Sequence, residues 1–219
     1  MWSVIFLLVG DVDQFFFFLV DTLQMLQELD SKRYVFIPCP LINPRLKKTL
    51  DLRYDQSELI FNHNANLSDD FMRSQYNMKP NETKSWTRFV AETESILLEA
   101  GILQPVIHSL TDWVVMYSKP GTQRQHYHYD YDPDDHYDNI HDAPMGLIMC
   151  VSEEPAKLHI WKDNQKHLLE IRTGQMLVFR HDLCHAGAAY DKFHVRLHCY
   201  IDSKHCERLP NGTYFATVP

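Results

Sequence analysis

The apolar positions of this chain change their period near residue 105. Before it, Phe15, Leu19, Leu23, Leu26 and Leu29 recur at helical spacing between Asp21, Gln24 and Glu28, which predicts a helix over Gln14–Leu29. Trp86, Phe89, Val90, Ile96 and Leu97 predict a second helix from Ser85 to Ala100, closed by Gly101. Between the two, Pro38, Pro40, Pro44 and Pro80, with asparagines crowded from Asn62 to Asn66, predict irregular structure over residues 35 to 83. After residue 105 the runs are short. Strands are expected at Trp113–Tyr117, Met145–Val151, Leu158–Trp161, His167–Ile171, Met176–Phe179 and Val195–Ile201, with Lys119-Pro120-Gly121, Pro155 and Gly174 among the turns. Many short strands separated by turns point to an antiparallel sandwich or barrel. The expected organisation is mainly β with N-terminal helices, an α+β chain. Residues 1–104 form a helical and irregular region packing on a β domain of residues 105–219.

Composition narrows the function classes. With 45% hydrophobic and 23% charged residues the chain is globular. Its net charge of −8 disfavours nucleic acid or an anionic membrane as a general partner, because both need a basic face. The apolar runs Trp2–Val9 and Phe15–Val20 are each short of the ~20 residues of a membrane span. They carry no basic residue ahead of them and no small-residue cleavage site after them, so a buried N-terminal segment is favoured over a signal peptide. Five cysteines without a CxxC pair argue against a disulfide framework or a structural zinc site, and favour a reducing, cytoplasmic setting. The sequons at Asn66, Asn81 and Asn211 keep the secretory pathway open.

The chemistry concentrates in Gln125-His126-Tyr127-His128-Tyr129-Asp130 and in His185-Ala186-Gly187, with Arg196 following His185 by 11 residues. Side chains alternate along a strand, so His126, His128, Asp130 and Asp132 share one face for as long as the strand runs. His128 and Asp130 can then reach one ion, and His185, just past a strand-like segment, can supply the third ligand. Two imidazoles and one carboxylate with open positions form the ligand set of non-heme Fe(II) oxygenases. Gly187 lets the backbone pass close to a ligand. Arg196 lies in an alternating strand whose polar side holds His194, Arg196, His198 and Tyr200; its planar fork suits a buried carboxylate. His136-Tyr137-Asp138 competes with His128 and Asp130 but lacks a preceding strand, and His181 competes with His185 but lacks the Ala-Gly that follows it. His126 reads as solvent-facing. Asp132, Asp134 and Asp135 lack the glycine and terminal Glu of a calcium loop and read as an acidic loop on the substrate side. Tyr127, Tyr129, Tyr131 and Trp161 read as packing residues, and Cys184 as a small buried filler.

Gln125-x-x-His128-x-Asp130, Gly174-Gln175-Met176-Leu177-Val178-Phe179, His185-Ala186-Gly187 and Arg196 together resemble the Fe(II)/2-oxoglutarate-dependent dioxygenase superfamily, in its prolyl-hydroxylase-like branch. The resemblance covers about residues 113 to 202. It implies a double-stranded β-helix (jelly-roll) core and iron held by His128, Asp130 and His185. It also implies 2-oxoglutarate held by Arg196, with Tyr117 as a further residue facing the co-substrate. Some branches carry Ser or Thr two residues after the arginine, where this chain has His198. The implied reaction consumes O2 and 2-oxoglutarate, releases succinate and CO2, and hydroxylates a C–H bond, with ascorbate as an optional auxiliary. Asp130 favours hydroxylation, since halogenating relatives lack this carboxylate. The substrate class stays open between a peptidyl proline or lysine and a small molecule. The rivals are a cupin-type metalloenzyme, which does not need Arg196, and a non-catalytic jelly-roll binding protein.

Overall fold

The computed structural model describes residues 12–60, 70–208 and 213–218. The first apolar run, Trp2–Val9, and the sequons at Asn66 and Asn211 lie outside them. Helix α1 spans Val12–Lys32, longer at both ends than the periodicity predicts. Helix α3, Lys84–Glu99, runs where expected. The Thr83 side chain accepts from the Trp86 N–H at its start, and Gly101 (φ 70°) takes the left-handed position beyond its end.

Residues 35–83 are not irregular, as their prolines suggested. They hold strand β1 (Tyr34–Pro38), helix α2 (Pro44–Asp51), strand β2 (Glu58–Ile60) and strand β3 (Asp70–Asn77). The prolines mark ends and starts. Pro38 closes β1, and Pro44 opens α2 at a first-turn position that needs no N–H, with the Asn43 side chain accepting from the N–H groups of Arg45 and Leu46.

The remaining strands are β4 (His108–Ser118), β5 (His128–Tyr129), β6 (Met145–Cys150), β7 (Ala156–Lys162), β8 (Gln165–Ile171), β9 (Gln175–Arg180), β10 (Cys184–Gly187), β11 (His194–Ser203) and β12 (Tyr214–Phe215). They pair antiparallel in two sheets, a larger one ordered β1-β9-β6-β11-β4-β3-β2 and a smaller one ordered β12-β5-β10-β7-β8. From β4 to β11 the chain passes back and forth between the sheets, with only the β7–β8 hairpin staying within one, and this winding is the double-stranded β-helix. The β7–β8 hairpin turns on Asp163 and Asn164 (φ 52° and 59°), two left-handed residues whose twist matches that of the flanking strands.

Both faces of the larger sheet are covered, so its strands bury residues of both parities. Val115, Tyr117, Leu147, Val178, Val195, Leu197 and Cys199 pack with Trp86, Phe89 and Leu97 of α3 on one side. Ile148, Leu177 and Phe179 face Leu158, Ile160 and Ile171 of the smaller sheet on the other. All five cysteines are free, four of them buried. Among the described residues no helix is long and apolar enough to cross a membrane.

Candidate functional site

The site forms where the short strand β5 meets β10. His128 and His185 are cross-strand partners, and their rings lie 4.5 Å apart between centroids. Strand β5 ends at Tyr129, so the expected shared face does not extend to Asp132; the chain bends at Asp130 and aims its carboxylate back at the two imidazoles. Asp130 Oδ1 lies 3.8 Å from His128 Nε2 and 3.7 Å from His185 Nε2. His128, Asp130 and His185 thus offer three ligand atoms within 4.8 Å of one another, and they are the one such grouping among the described residues. His126, His136, Asp138 and His181 stand outside it.

Each imidazole is oriented by its own backbone. His128 Nδ1 sits 2.8 Å from the His126 carbonyl and His185 Nδ1 2.9 Å from that of Leu183. A carbonyl only accepts, so Nδ1 carries the proton and Nε2 turns its lone pair toward the shared space. Burial holds both imidazoles below their ordinary value, His185 down to about 4, against the pull of Asp130. Burial works against ionisation of Asp130, but His185, His198 and His128 around it hold its carboxyl well below the usual carboxylate range. At neutral pH the arrangement is two neutral imidazoles and a carboxylate, a donor set that fits a divalent first-row metal. Phe179 packs edge-on against His185 at 4.8 Å and forms a dry floor.

Arg196 and His198 project from the same side of β11. His198 Nε2 faces Asp130 Oδ2 at 3.3 Å, without the direction of a good hydrogen bond, and both atoms are otherwise unsatisfied. Arg196, two residues back, sits roughly 6.6 Å further along the strand. It is 4% exposed. Its Nε and Nη2 donate to Met116 Sδ at 3.1 and 2.8 Å, and its Nη1 is buried with no partner. A thioether is a weak acceptor and leaves the charge uncompensated. A guanidinium in that state fits a carboxylate brought by a ligand. The guanidinium lies against Gly187: a Cβ there would come within 2.9 Å of Nη2 and 2.3 Å of Gln125 Oε1. Gln125 and Gly187 are tied to each other twice, Gln125 N–H to Gly187 O at 2.9 Å and Gly187 N–H to Gln125 Oε1 at 3.1 Å.

Tyr117 does not face this space. It pairs with Val195, whose side chain points to the helix side, and its hydroxyl donates to the Leu50 carbonyl at 2.5 Å while its ring packs on Tyr54. The neighbour of opposite parity, Met116, is the β4 residue that meets Arg196. Three residues with a place in the site were given none by the sequence. Gln125 was visible in the motif but had no role, His198 stood without one, and Met116 is recognisable only once β4 and β11 are in register.

No family model matches this sequence, and no curated protein matches it. Solved structures do. The prolyl hydroxylase from Trichoplax adhaerens, in complex with a hypoxia inducible factor peptide fragment, aligns with a TM-score of 0.61 at 10% identity, over 88% of this chain and 94% of that one. A prolyl-4-hydroxylase from Pseudomonas putida gives 0.60 at 14% identity, covering 82% and 97%. The epimerase SnoN, in complex with Fe3+, alpha ketoglutarate and nogalamycin RO, gives 0.65 at 11% identity, covering 88% of each. At such identities the likeness is one of architecture. The chain has the double-stranded β-helix fold of the prolyl hydroxylases and of the alpha ketoglutarate-dependent iron enzymes.

Proposed function

We propose that this protein is an Fe(II)/2-oxoglutarate-dependent oxygenase that hydroxylates a C–H bond of a peptidyl or small-molecule substrate. The observation that carries the reading is the pairing of the His128, Asp130 and His185 cluster with a buried Arg196 whose Nη1 has no partner. In this reading the three residues hold iron and leave up to three positions free. Arg196 receives the distal carboxylate of 2-oxoglutarate, and Met116, Gln125 and Gly187 set where its guanidinium lies. His198 steadies the outer oxygen of Asp130, which leaves the inner one for the metal. The bound pair supplies the oxidising power: 2-oxoglutarate and O2 are consumed, succinate and CO2 leave, and one oxygen atom enters the substrate. Phe179 and the apolar residues between the sheets keep water from the inner side of the site. Neighbours of the same fold include an epimerase, so the fold alone does not set the outcome; Asp130, which fills the third ligand position, favours hydroxylation over halogenation.

The test is anaerobic binding of Fe(II) and 2-oxoglutarate, followed by the visible charge-transfer band of the chelate. Wild type should show the band. Arg196→Ala should bind iron and lose the band at ordinary 2-oxoglutarate concentrations. Bound iron without a band in either protein points to a cupin-like metalloenzyme, and the absence of bound iron points to a binding protein.

A further inference from the structure

The acidic loop after Asp130 closes one side of a cavity of about 410 Å³, lined by residues of the segments 133–143 and 180–182 and by Asp30 near the end of α1. That is the size of a small-molecule or side-chain subsite. Both main walls are close in sequence to the metal cluster: Pro133 follows Asp130 by three residues and Asp182 precedes His185 by three.

The lining is electrostatically one-sided. Of the lining carboxylates Asp30, Asp135, Asp138 and Asp182, the cations Arg180 and, from outside the lining, Arg33 (Nε to Asp182 Oδ2 at 3.4 Å) serve only Asp30 and Asp182, which leaves two negative charges without a cation among the described residues. Arg180 is already committed. Its Nη1 bonds Asp30 Oδ1 at 2.8 Å, and its Nε and Nη2 fork onto Asp182 at 3.1 Å each. No Lys or Arg among the described residues pairs with Asp135 or Asp138.

His181 supplies a second, independent sign of a ligand. It is 4% exposed and lines the cavity. Its Nε2 bonds the Asp135 carbonyl at 3.1 Å, and Tyr137 packs edge-on against its ring at 4.9 Å. Nδ1 is buried with no partner. A carbonyl on Nε2 fixes the proton there and leaves Nδ1 a bare acceptor. Burial holds the imidazole below its ordinary value, which keeps it in this neutral form. The cavity therefore presents acceptors in excess of donors. A metal ion does not suit it, because among the described residues only the His128, Asp130 and His185 group brings three ligand atoms close together. A ligand carrying several N–H donors and a positive charge meets both the charge and the spread of these acceptors.

We propose that this cavity binds an organic cation, an ammonium or guanidinium group of the prime substrate, with Asp135, Asp138 and His181 as its acceptors. The identification of that cation with the substrate rests on the oxygenase reading; the binding itself does not.

The probes are 1,4-diaminobutane and Nα-acetyl-lysine amide, with Nα-acetyl-norleucine amide as the neutral counterpart. Each is titrated calorimetrically into the metal-free full chain. The two cations should bind saturably and the neutral amide should not. Asp135→Asn with Asp138→Asn should weaken the cations at least about tenfold, equivalent to about 1.4 kcal/mol. Asp138→Asn alone serves if the double variant does not fold. Glu94→Gln, which removes one charge from α3 far along the chain, should leave binding unchanged. Tighter binding of the lysine amide indicates a peptidyl source, and tighter binding of the diamine a free amine. The proposal is overturned if the cations do not saturate, if the norleucine amide binds equally, or if Glu94→Gln weakens binding as much as the loop variants. The iron and 2-oxoglutarate band is read on the same preparation. A band without cation binding removes the cavity proposal and keeps the oxygenase; cation binding without a band keeps the cavity and removes its assignment to an oxygenase substrate.

Discussion

Gly187→Ala tests the reading of the co-substrate end of the site with a single methyl group. The new Cβ would lie 2.9 Å from Arg196 Nη2 and 3.1 Å from Nη1, so reaching an ordinary contact of 3.4 Å moves the guanidinium by about half an ångström. Gln125 Oε1, at 2.3 Å, must retreat by about 1 Å, which breaks its bond from the Gly187 N–H. That lost bond costs about 1 kcal/mol of stability, a fall in Tm of about 2–4 °C for a chain of this size. The shifted guanidinium matters more for the ligand. Two charge-assisted bonds to a carboxylate are worth about 1.5–3 kcal/mol each, and misaligning them should forfeit about 1.4–2.8 kcal/mol, tenfold to a hundredfold in the Kd of 2-oxoglutarate. Iron affinity should stay within about twofold, because none of the three atoms nearest the new methyl group belongs to His128, Asp130 or His185. The assay is the anaerobic band titrated with 2-oxoglutarate at fixed Fe(II), beside a metal-free thermal melt. A folded Gly187→Ala protein with wild-type 2-oxoglutarate affinity would refute the placement of the co-substrate carboxylate on Arg196.

Three further outcomes follow from the geometry. His198→Leu should weaken Fe(II) or Co(II) binding about tenfold to a hundredfold by releasing Asp130 Oδ2, and His198→Gln should recover much of it; equal affinities for all three proteins in a metal titration would leave His198 without a positioning role. Burial, with Arg196 beside it, lowers the His194 pKa to about 4. The unfolded chain therefore takes up this proton first, and the stability it gives is complete above pH 6.5 and lost toward pH 4, at about 1.4 kcal/mol per pH unit; His194→Phe should flatten that part of the urea-midpoint profile, and an unchanged slope would contradict the assignment. Trp86→Ala should cost about 3–5 kcal/mol, since Trp86 is fully buried between Phe89 and Trp113; a melt within about 2 °C of wild type would contradict the packing of α3 on the larger sheet.

What could be read from the sequence divides along a physical line. Residue chemistry and alternation within one strand were legible: Arg196 and His198 on one side of β11, Val195 and Leu197 on the other. Which side faces the site was not, for strands covered on both faces. Tyr117 illustrates this. Positions 113 to 118 of β4 show no in-out alternation, because helices cover one face and the smaller sheet the other, so parity alone could not separate Tyr117 from Met116. Edge strands were hidden for a different reason. Strand β1 is held by β9, far away in sequence, and its Pro38 looks like a breaker until it is seen as the last residue of an edge strand. Asn43-Pro44 carried a helix start that a count of prolines conceals.

The metal cluster shows how the two levels combine. Histidine and aspartate two residues apart occur twice in this chain, at His128 and Asp130 and again at His136 and Asp138. Local sequence prefers the first pair only weakly, since β5 is two residues long. Register makes the choice: His185 sits directly across from His128, and among the described residues no strand brings a third ligand to His136. The second pair then has a different setting, beside His181 in a cavity where Asp135 and Asp138 have no Lys or Arg partner among the described residues. One His-x-Asp thus stands in a dry, closely coordinated cluster suited to a metal, while its near-copy eight residues later stands in an open acidic hollow suited to a larger cation. The residue types are the same; burial and the spacing of neighbouring ligand atoms separate their chemistry.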